Sequence, residues 1–136
     1  MLADVQFTVK DDVVVATLSG EVDTSNAAQI CNAILETTPN HALGVVLDLS
    51  AVDYLDSAGI HLIYSLRTNL QARGQLVMLV IPAQSPVQGA LRLAGVTTHL
   101  PMSETADAAL LEFKPRSPSS GAGDSDRDAP QGEPAV

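Results

Sequence analysis

Hydrophobic residues recur along the chain with more than one spacing. Apolar and polar residues alternate at 5–9, and 13–18 is rich in β-branched residues, so both segments predict strands, and the two aspartates between them predict a hairpin turn. Continuous apolar runs at 43–49 and 76–81 are typical of strands that are buried on both faces. The chain is therefore expected to open with a hairpin and to continue with strands at the centre of a sheet.

Helical spacing separates and follows these buried strands. Apolar residues recur every three or four positions in three segments, and a fourth helix is predicted where the apolar part of the chain ends. The predicted helices lie at 27–35, 57–73, 86–94 and 103–113. Residues 23–25 are expected to cap the first helix and Ser85 the third, and 98–100 are expected to form a short extended segment.

These elements predict a single α/β domain at 1–113. Strands that are connected by helices run parallel through crossovers, whereas the opening hairpin is antiparallel. The expected fold is a small mixed sheet flanked by about four helices. After Phe113 the composition changes to Pro, Ser, Gly, Ala and Asp, which predicts a disordered tail at 114–136.

Charge and composition limit the classes of partner and chemistry. The formal net charge is −9, most of it before Phe113, which disfavours nucleic acid and anionic lipid as partners. Cys31 is the single cysteine, and its apolar neighbours predict a buried thiol. Cysteine and histidine lack metal-ligand spacing, so no metal and no cofactor is expected. The sequence has neither a signal-peptide pattern nor a membrane-spanning apolar run, which predicts a cytoplasmic protein.

Two segments carry a resemblance to a known family. Residues 47–60, LDLSAVDYLDSAGI, are similar to the signature of STAS-domain anti-sigma-factor antagonists, in which a buried strand ends in Asp-Leu-Ser and a helix opens with Asp-Ser-Ala-Gly. Residues 18–23, LSGEVD, resemble a shorter family motif at the end of the second strand. The order of elements also resembles the family's across about residues 4–113, whereas the tail has no counterpart.

The resemblance implies a binding protein and not an enzyme, with no catalytic residue. Unphosphorylated family members bind an anti-sigma factor, often a histidine-kinase-like ATPase that acts as a serine kinase, and thereby free a sigma factor. The kinase phosphorylates the serine of the Asp-Ser-Ala-Gly motif, which ends the interaction, and a metal-dependent serine phosphatase reverses it. On this sequence the phosphoacceptor corresponds to Ser57, and Asp23 corresponds to the acidic position beside it.

The residues themselves support such a switch. Ser57 is predicted at the start of a helix, where free backbone N–H groups and the positive end of the helix dipole are expected to face it. A phosphoserine carries about −1.5 to −2 charges near neutral pH. With Asp56 adjacent and Asp23 expected nearby, we predict that a phosphate on Ser57 is tolerated by the domain and repelled from an interface.

The outer side of the same helix is predicted to contact the partner. Ile60 and Tyr64 are one turn apart on the face opposite the predicted core stripe, and the alternative is that one of them packs as core under a neighbouring loop. The predicted partner-binding residues are Asp23, Thr24, Asp56, Ser57, Ile60, His61 and Tyr64.

Other functions fit the sequence less well. Asp48, Asp53 and Asp56 follow a buried strand, as in a phosphorylated receiver domain, but that site needs a lysine, and Lys10 in the opening hairpin is the only lysine before residue 114. No glycine-rich phosphate loop follows any predicted strand.

Two alternatives remain within the same fold. STAS domains also occur as scaffolds or regulatory subunits of stress-signalling and transporter complexes without a phosphorylation switch. Pairing of two copies through the exposed edge of the hairpin would give binding that ignores Ser57. A monomer or a weak dimer is expected.

Overall fold

The structure is a computed structural model that describes residues 4–113, together with the backbone of 119–120 and 122–123. Five strands form one mixed sheet in the order β1-β2-β3-β4-β5. They are β1 (Asp4–Lys10), β2 (Val13–Val22), β3 (Gly44–Leu55), β4 (Leu76–Val80) and β5 (Met102–Ser103). Strand β1 is antiparallel to β2, and the other neighbours are parallel, which confirms the predicted mixed α/β sheet.

Five helices accompany the sheet in the part of the chain that the structure describes. They are α1 (Ala27–Thr37), α2 (Ser57–Ala72), α3 (Gln88–Leu93), α4 (Val96–His99) and α5 (Ala106–Leu111). Helix α4 replaces the extended segment predicted at 98–100. It begins directly after Gly95, whose φ of 79° ends α3 and lets the chain start a new helical turn.

Two further short strands, β6 (Ser119–Ser120) and β7 (Ala122–Gly123), pair with each other and not with the main sheet. They fall within the tail at 114–136. The rest of that predicted disordered tail lies outside the described residues. No helix within the described ranges is long and apolar enough to span a bilayer.

Several boundaries differ from those predicted. The N-cap of α1 is Asn26 and not a residue of 23–25, and β3 continues to Leu55 through the loop expected after Ser50. Helix α3 starts at Gln88, because the Ser85 hydroxyl accepts the N–H of Val87 at 3.3 Å in a turn before the helix.

The last two helices also depart from their predicted patterns. Ala90 and Ala94 are exposed, so α3 inserts only Leu91 into the core. Helix α5 begins later than predicted, because Ser103 belongs to β5 and the Thr105 hydroxyl caps the helix by accepting the N–H of Ala108 at 3.1 Å.

The sheet has a large and a small apolar face, because alternate side chains of each strand point to opposite sides. Val14, Ala16 and Leu18 of β2 belong to the large cluster, which α1, α2, α3 and α4 cover. Val13 and Val15 belong to the small cluster, which α5 covers together with Phe113. The central strand β3 contributes to both clusters, as its continuous apolar run predicts.

Strands β2 and β3 place the starts of two helices side by side. They run parallel, so their carboxyl ends lie at the same edge of the sheet. The N–H of Asp56 donates to the carbonyl of Val22 at 3.3 Å and connects the two ends. Ligands and partners of parallel sheets bind preferentially at such an edge, which makes it the place to examine for function.

Candidate functional site

The start of α2 is closed by a side-chain cap. Asp56 is the N-cap residue, and its carboxylate accepts the N–H groups of Ala58 at 2.8 Å and Gly59 at 3.3 Å. Ser57 is the first helical residue, and it is exposed. The expectation that free N–H groups of this helix end face Ser57 is therefore wrong for these two amides, because Asp56 already occupies them.

Close packing fixes the position of this helix start. Gly59 is buried, and a Cβ atom at this residue would lie 2.5 Å from Cγ of Leu55 at the end of β3. The glycine therefore lets the first turn of α2 approach the strand end. As a result, the backbone around Ser57 is held from both sides, by the cap and by the strand.

The start of α1 is a turn and not a direct cap. The carboxylate of Asp23 accepts the hydroxyl of Ser25 at 2.5 Å and the N–H of Ser25 at 2.9 Å. The hydrogen bond from the Ser25 hydroxyl, and to a smaller extent the one from the Ser25 N–H, hold the pKa of Asp23 below its ordinary value, because both favour the charged form. The loop beside Ser57 thus carries a permanent negative charge at neutral pH.

A buried asparagine holds this turn together. Asn26 is only 6% exposed, its Oδ1 atom accepts the N–H of Asp23 at 3.0 Å, and its Nδ2 atom donates to the carbonyl of Glu21 at 2.8 Å. Sequence reasoning missed this residue. The available signal was an asparagine directly before the helical repeat, a typical N-cap position, although here the side chain bonds backwards to the loop instead of capping the helix.

A groove of about 620 Å³ runs between α1 and α2 and reaches Ser57. Its walls include Thr24, Ala28 and Cys31 on one side and Ser57, His61 and Ser65 on the other. The structure therefore brings Thr24, Ser57 and His61 of the predicted site onto one surface. It also adds the side of α1 that faces α2, which the sequence did not indicate because small residues there carry no functional pattern.

Three side chains of the groove, one neutral thiol and two polar groups, indicate its polarity. The thiol of Cys31 is buried, which raises its pKa, so it remains protonated at neutral pH. This agrees with its predicted role as a small apolar group. Across the groove, Nε2 of His61 and the hydroxyl of Ser65 lie 3.3 Å apart on successive turns of α2.

Comparison with known proteins identifies the family. The family model described as the STAS domain matches residues 4–109. The chain belongs to the STAS domain family. The match covers both segments that carry the resemblance in the sequence, and it covers all five strands of the main sheet.

Relatives of this STAS domain include anti-sigma factor antagonists. BtrV of Bordetella bronchiseptica, which is named as an anti-sigma factor antagonist, is 29% identical over 105 residues that cover 76% of this chain and 89% of that protein. The crystal structure of an anti-sigma factor antagonist from Mycobacterium paratuberculosis has a TM-score of 0.73 and 25% identity, over 82% of this chain and 94% of that one. SpoIIAA of Bacillus in its phosphorylated form shares the fold, with a TM-score of 0.56 and 20% identity over 82% and 100% of the two chains.

Ile60 and Tyr64, two further predicted partner contacts of the STAS domain, are not among the residues that line the groove. Ile60 and Tyr64 are half-buried and pack against the large core cluster, so both lean toward the alternative of packing as core, which the sequence left open for one of them. The Tyr64 ring meets His99 of α4 edge to face, with centroids 6.2 Å apart. Whether either residue contacts a partner stays a prediction.

The aspartates of β3 are separated in the structure. The carboxylate of Asp48 accepts the hydroxyl and the N–H of Ser50 at 2.6 and 2.9 Å, where the pairing of β3 with β2 has a register shift. Asp53 is exposed on the strand, and Asp56 caps α2. Among residues 4–113, no three acidic, histidine or cysteine side chains are grouped so that they could hold a metal ion.

Proposed function

We propose that this STAS domain is an anti-sigma-factor antagonist that acts by binding and not by catalysis. In its unphosphorylated form it binds an anti-sigma factor, which is a histidine-kinase-like ATPase with serine kinase activity, and so frees a sigma factor in the cytoplasm. Phosphorylation of Ser57 ends the binding, and a metal-dependent serine phosphatase restores it. The observation that carries the proposal is the exposed Ser57 at one end of a groove, beside a carboxylate that already occupies the helix amides.

The position of Asp56 explains why phosphate would act on the interface and not on the fold. Negative charge near a helix start stabilises the helix by typically 0.3–1 kcal/mol, so the domain tolerates a phosphoserine there. Since Asp56 holds the N–H groups of Ala58 and Gly59, the phosphate does not gain these donors without displacing a carboxylate. It therefore remains a solvated, strongly negative group beside Asp56.

A partner that covers Ser57 would have to remove water from that group. Leaving a buried charge uncompensated costs several kcal/mol, whereas about 1.4 kcal/mol is enough for a tenfold loss of affinity. Asp23 adds a further negative charge at the neighbouring helix start, and its lowered pKa keeps it ionised. Phosphorylation can thus reduce affinity by more than tenfold without a change of backbone conformation.

The groove offers the surface that a partner would fill. It is lined largely by small side chains, among them Ala27, Ala28 and Ala58, so that side chains of a partner can enter between the helices. Ile60 and Tyr64, which lie on the same helix outside the groove, are candidate anchors. The names of BtrV and of the Mycobacterium paratuberculosis protein support an anti-sigma factor as that partner.

The proposal is tested with three versions of the full chain, wild type, Ser57→Ala and Ser57→Glu, each carrying a tag at its C-terminal end. Each is used to capture partners from the lysate of the host, and the captured proteins are identified by mass spectrometry. A histidine-kinase-like ATPase is expected with the wild type and Ser57→Ala. The purified ATPase is then titrated with each version, and Ser57→Glu is expected to bind at least about tenfold more weakly.

A matched control tests whether the position of the added negative charge matters, or only its presence on the protein. Thr68→Glu adds the same charge on an exposed position of α2 outside the groove, and it is expected to bind as the wild type does. Incubation of the purified ATPase with ATP and the wild type should place phosphate on Ser57, read by peptide mass spectrometry. Equal binding by all versions would mean that Ser57 is not a switch and that the domain is a constitutive scaffold. If no version captures such an ATPase, the proposed function is rejected.

A further inference from the structure

Strand β1 lies at the edge of the sheet. In the part of the chain that the structure describes, β2 is its only hydrogen-bonded neighbour. Val9 of β1 is 65% exposed, and the charged residues at the two ends of the strand, Asp4 and Lys10, are exposed as well. A seven-residue edge strand with an exposed valine is a surface on which another strand can pair.

The hairpin turn decides which backbone groups of β1 point outward. Both turn residues have positive φ, 53° and 64°, which is the geometry of a type I′ turn. In this turn Lys10 and Val13, which flank it, hydrogen-bond to each other. Because the direction of the backbone groups alternates along a strand, the N–H and C=O groups of Val5, Phe7 and Val9 point away from β2.

We propose that two copies of this chain associate through β1, paired antiparallel across a two-fold axis at Phe7. Phe7 is the central residue of the strand, so this register uses all seven residues of each copy. It places Asp4 of each copy opposite Lys10 of the other. Val5 of each copy lies opposite Val9 of the other. The sequence of the strand is therefore complementary to itself in charge.

The register also agrees with the direction of the backbone groups. The pairs formed by Val5, Phe7 and Val9 are those whose N–H and C=O groups point outward, so all three become hydrogen-bonded pairs. Each such pair exchanges two hydrogen bonds. Pairing also brings the exposed side chain of Val9 against Val5 of the other copy.

A simpler account of Lys10 is that it protects the edge from pairing, as lysines on edge strands often do. The two accounts differ in what they require of Asp4. A protecting lysine needs no carboxylate six residues earlier, whereas the paired register needs opposite charges at those two positions. The contact is one strand long, below the roughly 1,000 Å² of a stable interface, so the dimer is expected to be weak and reversible.

This association does not rest on the function proposed for Ser57. The two-fold axis runs beside β1 at the edge of the sheet, whereas Ser57 follows the carboxyl end of β3, which β2 separates from β1. A failure of one proposal therefore leaves the other intact.

Sedimentation velocity of the full chain tests the proposal over a concentration range from about 1 μM to about 1 mM. The mass is expected to rise from 14.2 kDa toward twice that value as the concentration increases. Lys10→Asp and Asp4→Lys each place like charges opposite one another, and each is expected to weaken association by about tenfold or more. The double variant with both substitutions restores opposite charges and is expected to associate as the wild type does.

A control and two outcomes complete the test. Arg92→Asp makes the same change of charge as Lys10→Asp on an exposed position of α3, and it is expected to leave association unchanged. Circular dichroism checks that every variant is folded. A wild type that stays at 14.2 kDa at every concentration overturns the proposal. A dimer that ignores the charge swaps overturns the register.

Discussion

Helices α1 and α2 begin side by side at the ends of β2 and β3, and each has an aspartate at its start that accepts hydrogen bonds from the residues after it. At α2, Asp56 caps the helix directly and leaves Ser57 exposed on the first turn. At α1, Asp23 lies in a turn three residues before the N-cap, and the buried Asn26 holds that turn. The fold thus builds one helix start from a surface carboxylate and the other from a buried amide.

This difference suggests that the α1 start mainly stabilises the fold, whereas the α2 start mainly regulates binding. The α2 start presents a modifiable hydroxyl, and its cap is partly exposed, so a change of charge there disturbs few buried groups. The α1 start depends on the amide of Asn26, which is only 6% exposed, so water has little access to replace its hydrogen bonds. We therefore expect substitutions at α1 to affect folding first, and substitutions at α2 to affect binding first.

The largest effect on stability is expected for Asn26→Ala. The substitution removes two hydrogen bonds of a buried side chain, one from the N–H of Asp23 and one to the carbonyl of Glu21, and this loss should lower the free energy of unfolding by about 2–3 kcal/mol. Urea denaturation measures it. Asn32→Ala, at an exposed position of α1, is the control and should change stability by no more than about 0.5 kcal/mol. Equal effects of both variants would remove the contrast between the helix starts.

A smaller effect is expected at the α2 cap. Asp56→Ala loses both cap hydrogen bonds and should cost about 1 kcal/mol, whereas Asp56→Asn keeps an acceptor oxygen and should stay within a few tenths of the wild type. Asp53→Ala, an exposed position on β3, serves as control in the same denaturation series. If Asp56→Ala destabilises more than Asn26→Ala, the assignment of stability to α1 is wrong.

The smallest effect concerns the charge of Asp23. Ser25→Ala removes the hydroxyl that contributes most to the lowered pKa, so the pKa of Asp23 should rise toward its ordinary value. A lowered pKa in the folded state stabilises above the unfolded pKa, and this contribution is lost as the pH falls through the folded value. The stability difference between wild type and Ser25→Ala should therefore narrow below about pH 4.

Carboxyl carbon NMR titration of Asp23 gives the direct readout, with thermal unfolding between pH 2 and 7 as the second measurement. Thr24→Ala, next to Ser25 in the same turn, should leave the titration of Asp23 unchanged. An unchanged pKa in Ser25→Ala would mean that the hydroxyl does not stabilise the carboxylate.

The sequence predicted those parts of the molecule that local pattern determines. The buried strands follow from continuous apolar runs, and the start of α2 follows from Asp56 and from the family resemblance at 47–60. The mixed orientation of the sheet follows from the hairpin and the helical crossovers. These predictions needed no knowledge of distant contacts.

The parts that were missed depend on contacts between distant segments. Strand β3 continues to Leu55 because its second half pairs with the end of β2, which the polar residues around Ser50 do not indicate. The role of Asn26 depends on the backbone of a loop that precedes it. The groove exists only because α1 and α2 pack beside one another, so no single-helix pattern shows it.

Phe113 fixes where anything attached to the end of the domain begins. Its ring lies over Gly44 on the small apolar face, whereas α1, α2 and the groove lie on the other face. A fluorophore or affinity handle placed after residue 113 therefore starts on the side of the sheet away from Ser57. One placed before Asp4 starts beside the edge strand β1. The choice of label position thus decides which of the two proposed interactions an experiment leaves undisturbed.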